Sequence, residues 1–114
     1  MSLPITCHTN QFGMMGQINP SHLIEIVEQG YKSIINNRPD FEDGPDQPTN
    51  AQIRVHAEAL GLNYAFLPVI PGAFTLDQIV EMARLLKTMP SPILAFCRSG
   101  VRSNNLYQMA LQIR

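Results

Sequence analysis

The order of apolar and polar positions along the 114-residue chain alternates between the two periods of strands and helices. Three short segments, at 31–37, 63–70 and 93–97, predict strands, and each is followed by a segment with helical periodicity. One more helical segment precedes the first strand. This alternation predicts an α/β fold with a parallel sheet flanked by helices, formed by a single domain over residues 1–114.

The predicted helices have recognisable ends. Asn19-Pro20-Ser21 begins the first helix and Gly30 ends it, whereas Thr75 caps the third and most periodic helix. Residues three and four apart share one face of a helix, so the apolar residues at those spacings should face the core. The expected buried residues are Leu23, Ile24 and Val27, then Ile53, Ala57 and Leu60, then Leu76, Ile79, Val80, Ala83 and Leu86, and finally Leu106, Met109, Ala110 and Ile113.

The composition is that of an ordinary globular domain, with 45% hydrophobic and 15% charged residues. A formal net charge of -1 argues against general binding to nucleic acid or to an anionic membrane. The chain begins without a basic leader and has no apolar run of the ~20 residues that a membrane span needs. We therefore expect a cytoplasmic protein whose positive charge is local, with Arg98 and Arg102 as the prime candidates.

Cysteine and histidine usage predicts neither a disulfide scaffold nor a metal site. The two cysteines, Cys7 and Cys97, do not form a Cys-x-x-Cys pair, and the three histidines lack the spacing of metal ligands. No cofactor is expected. Cys97 follows a strand that is apolar throughout, and ligands of open α/β sheets bind beyond the carboxyl ends of the strands.

The segment CRSGVRS, residues 97–103, joins that strand to the last helix. A cysteine at a helix N-terminus meets unpaired N–H groups, and Arg102 adds a positive charge, so the thiolate nucleophile is favoured. Gly100 permits a tight loop whose N–H groups can surround an anion. Ser103 is expected to donate a hydrogen bond to the sulfur. The competing interpretation is a buried cysteine that acts as a small apolar residue.

Further candidates lie in and around this loop. Arg98, Ser99, Gly100 and Val101 are expected to contact the bound anion. Two more candidates follow the first predicted strand, where Arg38 and Asp40 can line the mouth of the site. An equally good alternative pairs Arg38 with an acidic residue of its own loop, which is Asp40, Glu42 or Asp43.

These segments carry a family resemblance. CRSGVRS resembles the Cys-x4-Arg loop of rhodanese-type sulfurtransferases and is one residue shorter than the Cys-x5-Arg loop of tyrosine and dual-specificity phosphatases. GQINP at 16–20, INNRPDFE at 35–42 and QP at 47–48 resemble the bacterial phosphatase-like domain of beta-lactamase-hydrolase-like proteins, which has also been labelled a sulfur transferase. The resemblance implies a dual-specificity-phosphatase-like fold. It also implies fusion to, or work with, a metallo-hydrolase domain.

The short loop favours a sulfurtransferase that uses thiosulfate or a persulfide and forms a persulfide on Cys97. Phe96 stands where phosphatases of this type have a histidine, and sulfite leaves thiosulfate without needing an acid. A phosphatase that acts on a phosphoester through a phosphocysteine is the alternative, with Asp40 as a candidate proton donor to the leaving group. A third possibility is a module that senses anions or persulfides without turnover.

Overall fold

The computed structural model describes residues 3–113, which fold into one five-stranded sheet covered by helices on both faces. No helix among these residues is long and apolar enough to cross a membrane. The last segment has helical periodicity through Ile113, but its helix ends at Ala110, and Arg114 lies outside the described residues. The elements are β1 Thr6–Thr9, β2 Phe12–Met15, a 3-10 turn Pro20–His22, α1 Leu23–Glu28, β3 Ser33–Asn36, α2 Asn50–Ala59, β4 Asn63–Phe66, α3 Leu76–Thr88, β5 Ile93–Phe96 and α4 Val101–Ala110.

The structure confirms the α/β fold with helices flanking a largely parallel sheet, to which the N-terminal hairpin of β1 and β2 adds an antiparallel pair that was not predicted. The strand order is β1-β2-β5-β3-β4, and β1 pairs with β2 in the antiparallel sense, whereas all other pairs are parallel. Each of the two strands has only four residues, and β1 is exposed throughout while β2 is buried throughout. Neither strand therefore shows the apolar and polar alternation by which a half-buried strand is recognised. The sheet is mixed.

The core consists of two apolar layers, one on each face of the sheet. Because successive strand residues point to opposite faces, Ile34 and Leu94 pack with α1 and α2, whereas Ile35 and Ala95 pack with α3 and α4. All four residues have no exposed surface. The strands β3 and β5 are thus buried on both faces, which explains why β5 is apolar throughout and why the centre of β3 is Ile34-Ile35.

Some of the apolar residues that were expected to face the core are exposed on the helices, most of them in α1 and α3. In α1 the buried residues are Leu23 and Ile26, while Ile24 is 60% exposed. The exposed residues Val27, Leu60, Leu76, Val80 and Met109 also depart from the expected stripes. In α3 the expected Ala83 is buried, together with Met82 and Leu85, which were not expected. Each helix contains more apolar residues than one face holds, so the contact with the sheet selects which of them are buried.

The carboxyl ends of β2, β3 and β5 meet at one edge of the sheet. The N–H of Cys97 donates to the Met15 carbonyl at 3.4 Å, and the N–H of Asn37 donates to the Phe96 carbonyl at 2.9 Å. The start of the loop at Cys97 is therefore held between the end of β2 at Met15 and Asn37, which follows β3. This arrangement places Cys97 at the edge where α/β folds bind ligands.

The N-terminal cap of α3 gives a prediction about stability. The Thr75 hydroxyl accepts the Gln78 N–H at 3.1 Å, and the Gln78 side chain accepts the Thr75 N–H in return. We expect Thr75→Ala to lower the free energy of unfolding by about 1 kcal/mol, measured by urea denaturation. Thr88→Ala, which removes an exposed hydroxyl at the other end of α3, should cost less than about 0.5 kcal/mol. Equal effects would contradict the assignment of the cap.

Candidate active site

Cys97 begins a tight loop that leads from β5 into α4. Its side chain is 1% exposed, and its Sγ accepts a hydrogen bond from the Gly100 N–H at 3.1 Å. Gly100 has φ +94° and directly precedes the first residue of α4. In this left-handed conformation the chain turns back on itself, so that an N–H of the loop points to the sulfur. A donor in that position stabilises a thiolate.

The loop is seated against the segment that follows β2. A Cβ atom on Gly100 would lie 3.3 Å from the Met15 carbonyl carbon, and one on Gly16 would lie 2.8 Å from the Arg98 carbonyl oxygen. Gln17 donates its N–H to that same Arg98 oxygen at 3.3 Å. The two backbones therefore approach more closely than side chains would allow at either glycine. This contact holds the loop against the end of β2 and the two residues that follow it.

The guanidinium group of Arg102 is buried and held by a carboxylate. Its Nη1 donates to Glu42 Oε2 at 2.9 Å and its Nη2 donates to Glu42 Oε1 at 3.0 Å, while Nη1 also donates to the Val69 carbonyl at 3.0 Å. Its Nε is buried and has no hydrogen-bond partner within residues 3–113. An unpaired buried donor costs about 1–3 kcal/mol, which an anion that reached it would recover.

Arg38 shares the same carboxylate. Its Nε donates to Glu42 Oε1 at 2.9 Å and its Nη1 donates to Gln17 Oε1 at 3.0 Å. Arg38 is only 4% exposed, and its Nη2 lies 3.9 Å from Asp43. Of the two sequence hypotheses for this residue, the structure therefore shows the ion pair, with Glu42 as the main partner.

Glu42 is the acidic centre of this cluster. Its partial burial favours the neutral acid, but hydrogen bonds from Arg102 and Arg38, with the charges of both groups, outweigh burial and hold the pKa of Glu42 below its ordinary value. Glu42 is thus an anion at neutral pH. It orients Arg102 from a loop that contains no regular secondary structure.

Two predicted residues have other partners. The Ser103 hydroxyl donates to Asn37 Oδ1 at 2.9 Å rather than to the sulfur, so the expected bond to Cys97 is corrected. Asn37 in turn donates to the Leu67 carbonyl at 3.0 Å, which ties α4 to the end of β3. Asp40 Oδ1 accepts the Asn50 N–H at 2.7 Å and so supports the first turn of α2.

A cavity of about 510 Å³ opens above the loop. It brings together five of the predicted site residues, which are Cys97, Arg98, Ser99, Val101 and Arg102. Arg38 lines a neighbouring cavity that Arg98 also lines. Gly100 lines a third cavity, together with Met15 and Cys7. Asp40 lines none of these three cavities. The remaining walls of the main cavity are Pro71, Gly72, Phe74, Asn105 and Met109.

Sequence reasoning did not single out these remaining walls or the role of Glu42. Met109 was expected in the core, and no local pattern links it or Phe74 to Cys97. Glu42 had a weak signal, since it is one of three acids near Arg38. Within residues 3–113, no three His, Cys, Asp or Glu side chains form a group that could hold a metal ion.

Comparisons with known sequences identify relatives over nearly the whole chain. The sequence profile described as "Beta-lactamase hydrolase-like protein, phosphatase-like domain" matches residues 5–113. The beta-lactamase hydrolase-like protein of Xylella fastidiosa is 37% identical over 100 residues, which are 88% of this chain and 23% of that protein. The chain thus spans about a quarter of the length of the curated relatives it matches.

Solved structures share the fold. A candidate phosphatase from Neisseria meningitidis is 28% identical with a TM-score of 0.80, over 93% of this chain and 75% of that one. Pseudomonas aeruginosa TpbA, solved in complex with phosphotyrosine, is 13% identical with a TM-score of 0.70, over 95% and 64%. The fold is therefore of the tyrosine and dual-specificity phosphatase type, as the resemblance implied. These relatives support the phosphatase alternative more than the sulfurtransferase hypothesis.

The contact between Gly100 and Met15 gives a prediction with a matched control. Gly61 also has a positive φ, +83°, but an added Cβ there would meet no atom within 4 Å. Both alanine substitutions introduce backbone strain, which costs of order 1–3 kcal/mol. We expect Gly100→Ala to be the more destabilising by at least about 1 kcal/mol in urea denaturation, because it also displaces Met15. Equal losses would show that the loop is not seated against β2.

The shared carboxylate gives a pH-dependent prediction. Because the folded pKa of Glu42 is lowered, its ion pairs stabilise the fold above the ordinary carboxyl value of 4.5, and this contribution is lost as the pH falls through the folded pKa. Glu42→Gln should therefore lower the free energy of unfolding by roughly 1–3 kcal/mol at pH 7 and by less at acidic pH. Urea denaturation at several pH values measures this difference.

Glu58→Gln serves as the control for Glu42→Gln. Glu58 forms an exposed pair with Arg54 at 3.9 Å, so its loss should cost less than about 1 kcal/mol. A cost of Glu42→Gln that does not change with pH would contradict the ionised state of Glu42.

Proposed function

The chain belongs to the family of phosphatase-like domains of beta-lactamase hydrolase-like proteins, and we propose that it is a cysteine-dependent phosphatase with Cys97 as its nucleophile. One observation carries the proposal: Cys97 and Arg102 line the same cavity, Cys97 in the loop that leads into α4 and Arg102 in the first turn of that helix. Transfer of an anionic group needs a nucleophile and fixed cationic donors close to each other.

The reaction has two steps. The thiolate of Cys97 attacks phosphorus and forms an S–P bond, while the P–O bond to the leaving group breaks and its electron pair departs on oxygen. Water then attacks the phosphocysteine, the S–P bond breaks and the thiolate is restored, with the water proton passing to solvent. The loop N–H groups, Arg98 and Arg102 stabilise the negative charge on the phosphoryl oxygens in both steps.

The size of the cavity supports an organic phosphoester. Its volume of about 510 Å³ lies within the range of sites for small organic molecules and exceeds what a bare inorganic anion needs. The groups close to Cys97 bind the anion, and the remainder of the cavity has room for the organic part.

Sulfur transfer is the second candidate, and a specific observation favours it. Four residues separate Cys97 from Arg102, and the buried phenyl ring of Phe96 directly precedes the cysteine. In this reaction the thiolate attacks the outer sulfur of thiosulfate, the S–S bond breaks, and sulfite leaves with the bonding pair. A second thiol or cyanide then removes the sulfur from the Cys97 persulfide.

A paired assay distinguishes the two reactions. Release of nitrophenol from 4-nitrophenyl phosphate and formation of thiocyanate from thiosulfate and cyanide are measured for the wild type, Cys97→Ser and Cys7→Ser. We expect Cys97→Ser to lower nitrophenol release by at least about 1000-fold, because it removes the nucleophile. Cys7→Ser should retain the activity, since Cys7 is the exposed cysteine.

The other outcomes are equally informative. Thiocyanate formation that depends on Cys97, without nitrophenol release, would replace the phosphatase by the sulfurtransferase. If neither product forms and sulfate or thiosulfate raises the melting temperature, the domain binds anions without turnover.

A further inference from the structure

The cavity that contains Cys97 has an apolar wall. Phe74 and Pro71 line it from the segment before α3, and Val101 and Met109 line it from α4. Val101 is 61% and Met109 is 44% exposed, so these side chains form an open apolar wall rather than part of the core. Ser99 and Asn105 are neutral, and the charged residues of the lining are Arg98 and Arg102.

The cavity also lacks a carboxyl group that could protonate a leaving group. None of its ten lining residues is an aspartate or a glutamate. Asp40 is engaged with the first turn of α2, and Asp43 and Asp46 line a separate cavity beyond Arg98. Glu42 is an anion held by two arginines. Within residues 3–113, no acidic residue therefore lines the cavity that contains Cys97.

We propose that this site selects esters whose leaving group is apolar and weakly basic, with Phe74 and Met109 as the residues that recognise it. The proposal rests on the phosphatase function above and names its substrate class. The leaving group departs as a free anion that carries the electron pair of the broken P–O bond, and it receives its proton from solvent afterwards. Esters of phenol-like hydroxyl groups meet both requirements, whereas esters of simple alcohols fail the second.

The first test compares two esters of similar apolar shape. Phenyl phosphate and benzyl phosphate both carry one aromatic ring, but the benzyl ester must expel a far more basic alkoxide. General acid catalysis typically contributes 10²–10⁴-fold, so without an acid the kcat/KM for benzyl phosphate should fall at least about 100-fold below that for phenyl phosphate. Values within about tenfold of each other would show that a group of the protein supplies the proton, and would overturn the proposal.

The second test concerns the apolar wall. Phe74→Ala should raise KM for phenyl phosphate about 10-fold or more, since an aromatic contact is lost, and it should leave inhibition by inorganic phosphate unchanged. Phe74 also packs against the core, so Phe74→Leu provides a variant that keeps the packing and should raise KM by a smaller factor. Leu76→Ala, at an exposed residue that does not line the cavity, is the control.

The outcomes separate the two proposals. If no phosphate ester is hydrolysed through Cys97, the proposed function fails. If phenyl phosphate is hydrolysed and Phe74→Ala and Leu76→Ala leave KM equally unchanged, the phosphatase stands and the recognition by Phe74 is wrong.

Discussion

The buried ion pair between Arg102 and Glu42 is the interaction on which the geometry of the site depends. A guanidinium group that is 8% exposed needs a compensating anion, because an isolated charge in the interior is strongly destabilising. Glu42 supplies it through two hydrogen bonds, and the Val69 carbonyl adds a third. One side chain thereby joins three segments that are distant in sequence: the helix α4, the loop after β3 and the loop after β4.

The same cluster explains how a slightly acidic protein can present an anion site. Arg38 and Arg102 carry two positive charges, which are opposed by Glu42 and, at 3.9 Å from Arg38, by the exposed Asp43. Arg98 adds a further positive charge at the rim of the cavity. The field that attracts a substrate is thus local and directed at the thiol. It needs no excess of basic residues over the rest of the chain.

The rigidity of the site follows from groups that do not touch the cavity. The Ser103 hydroxyl is bound to Asn37, and Asn37 to Leu67, so α4 is attached to the ends of β3 and of β4. Gly16 and Gly100 allow the loop to rest on the backbone after β2. These contacts position the thiol and the arginine relative to each other before a substrate binds, which lowers the cost of orienting them in the transition state.

The sequence by itself determined the α/β class and the position of Cys97 between the central strand and α4, because both depend on local signals. Periodicity, caps and a glycine before a helix act within a few residues of one another. The tertiary structure decided the N-terminal hairpin, the buried faces of α1 and α3, and the choice of Glu42 over Asp40 and Asp43 as the partner of Arg38. It also brought Glu42 to Arg102 across sixty residues of sequence, and Phe74 and Met109 to the wall of one cavity. Such pairings depend on how strands and helices pack, and the path of an irregular loop leaves no periodic signal in the sequence.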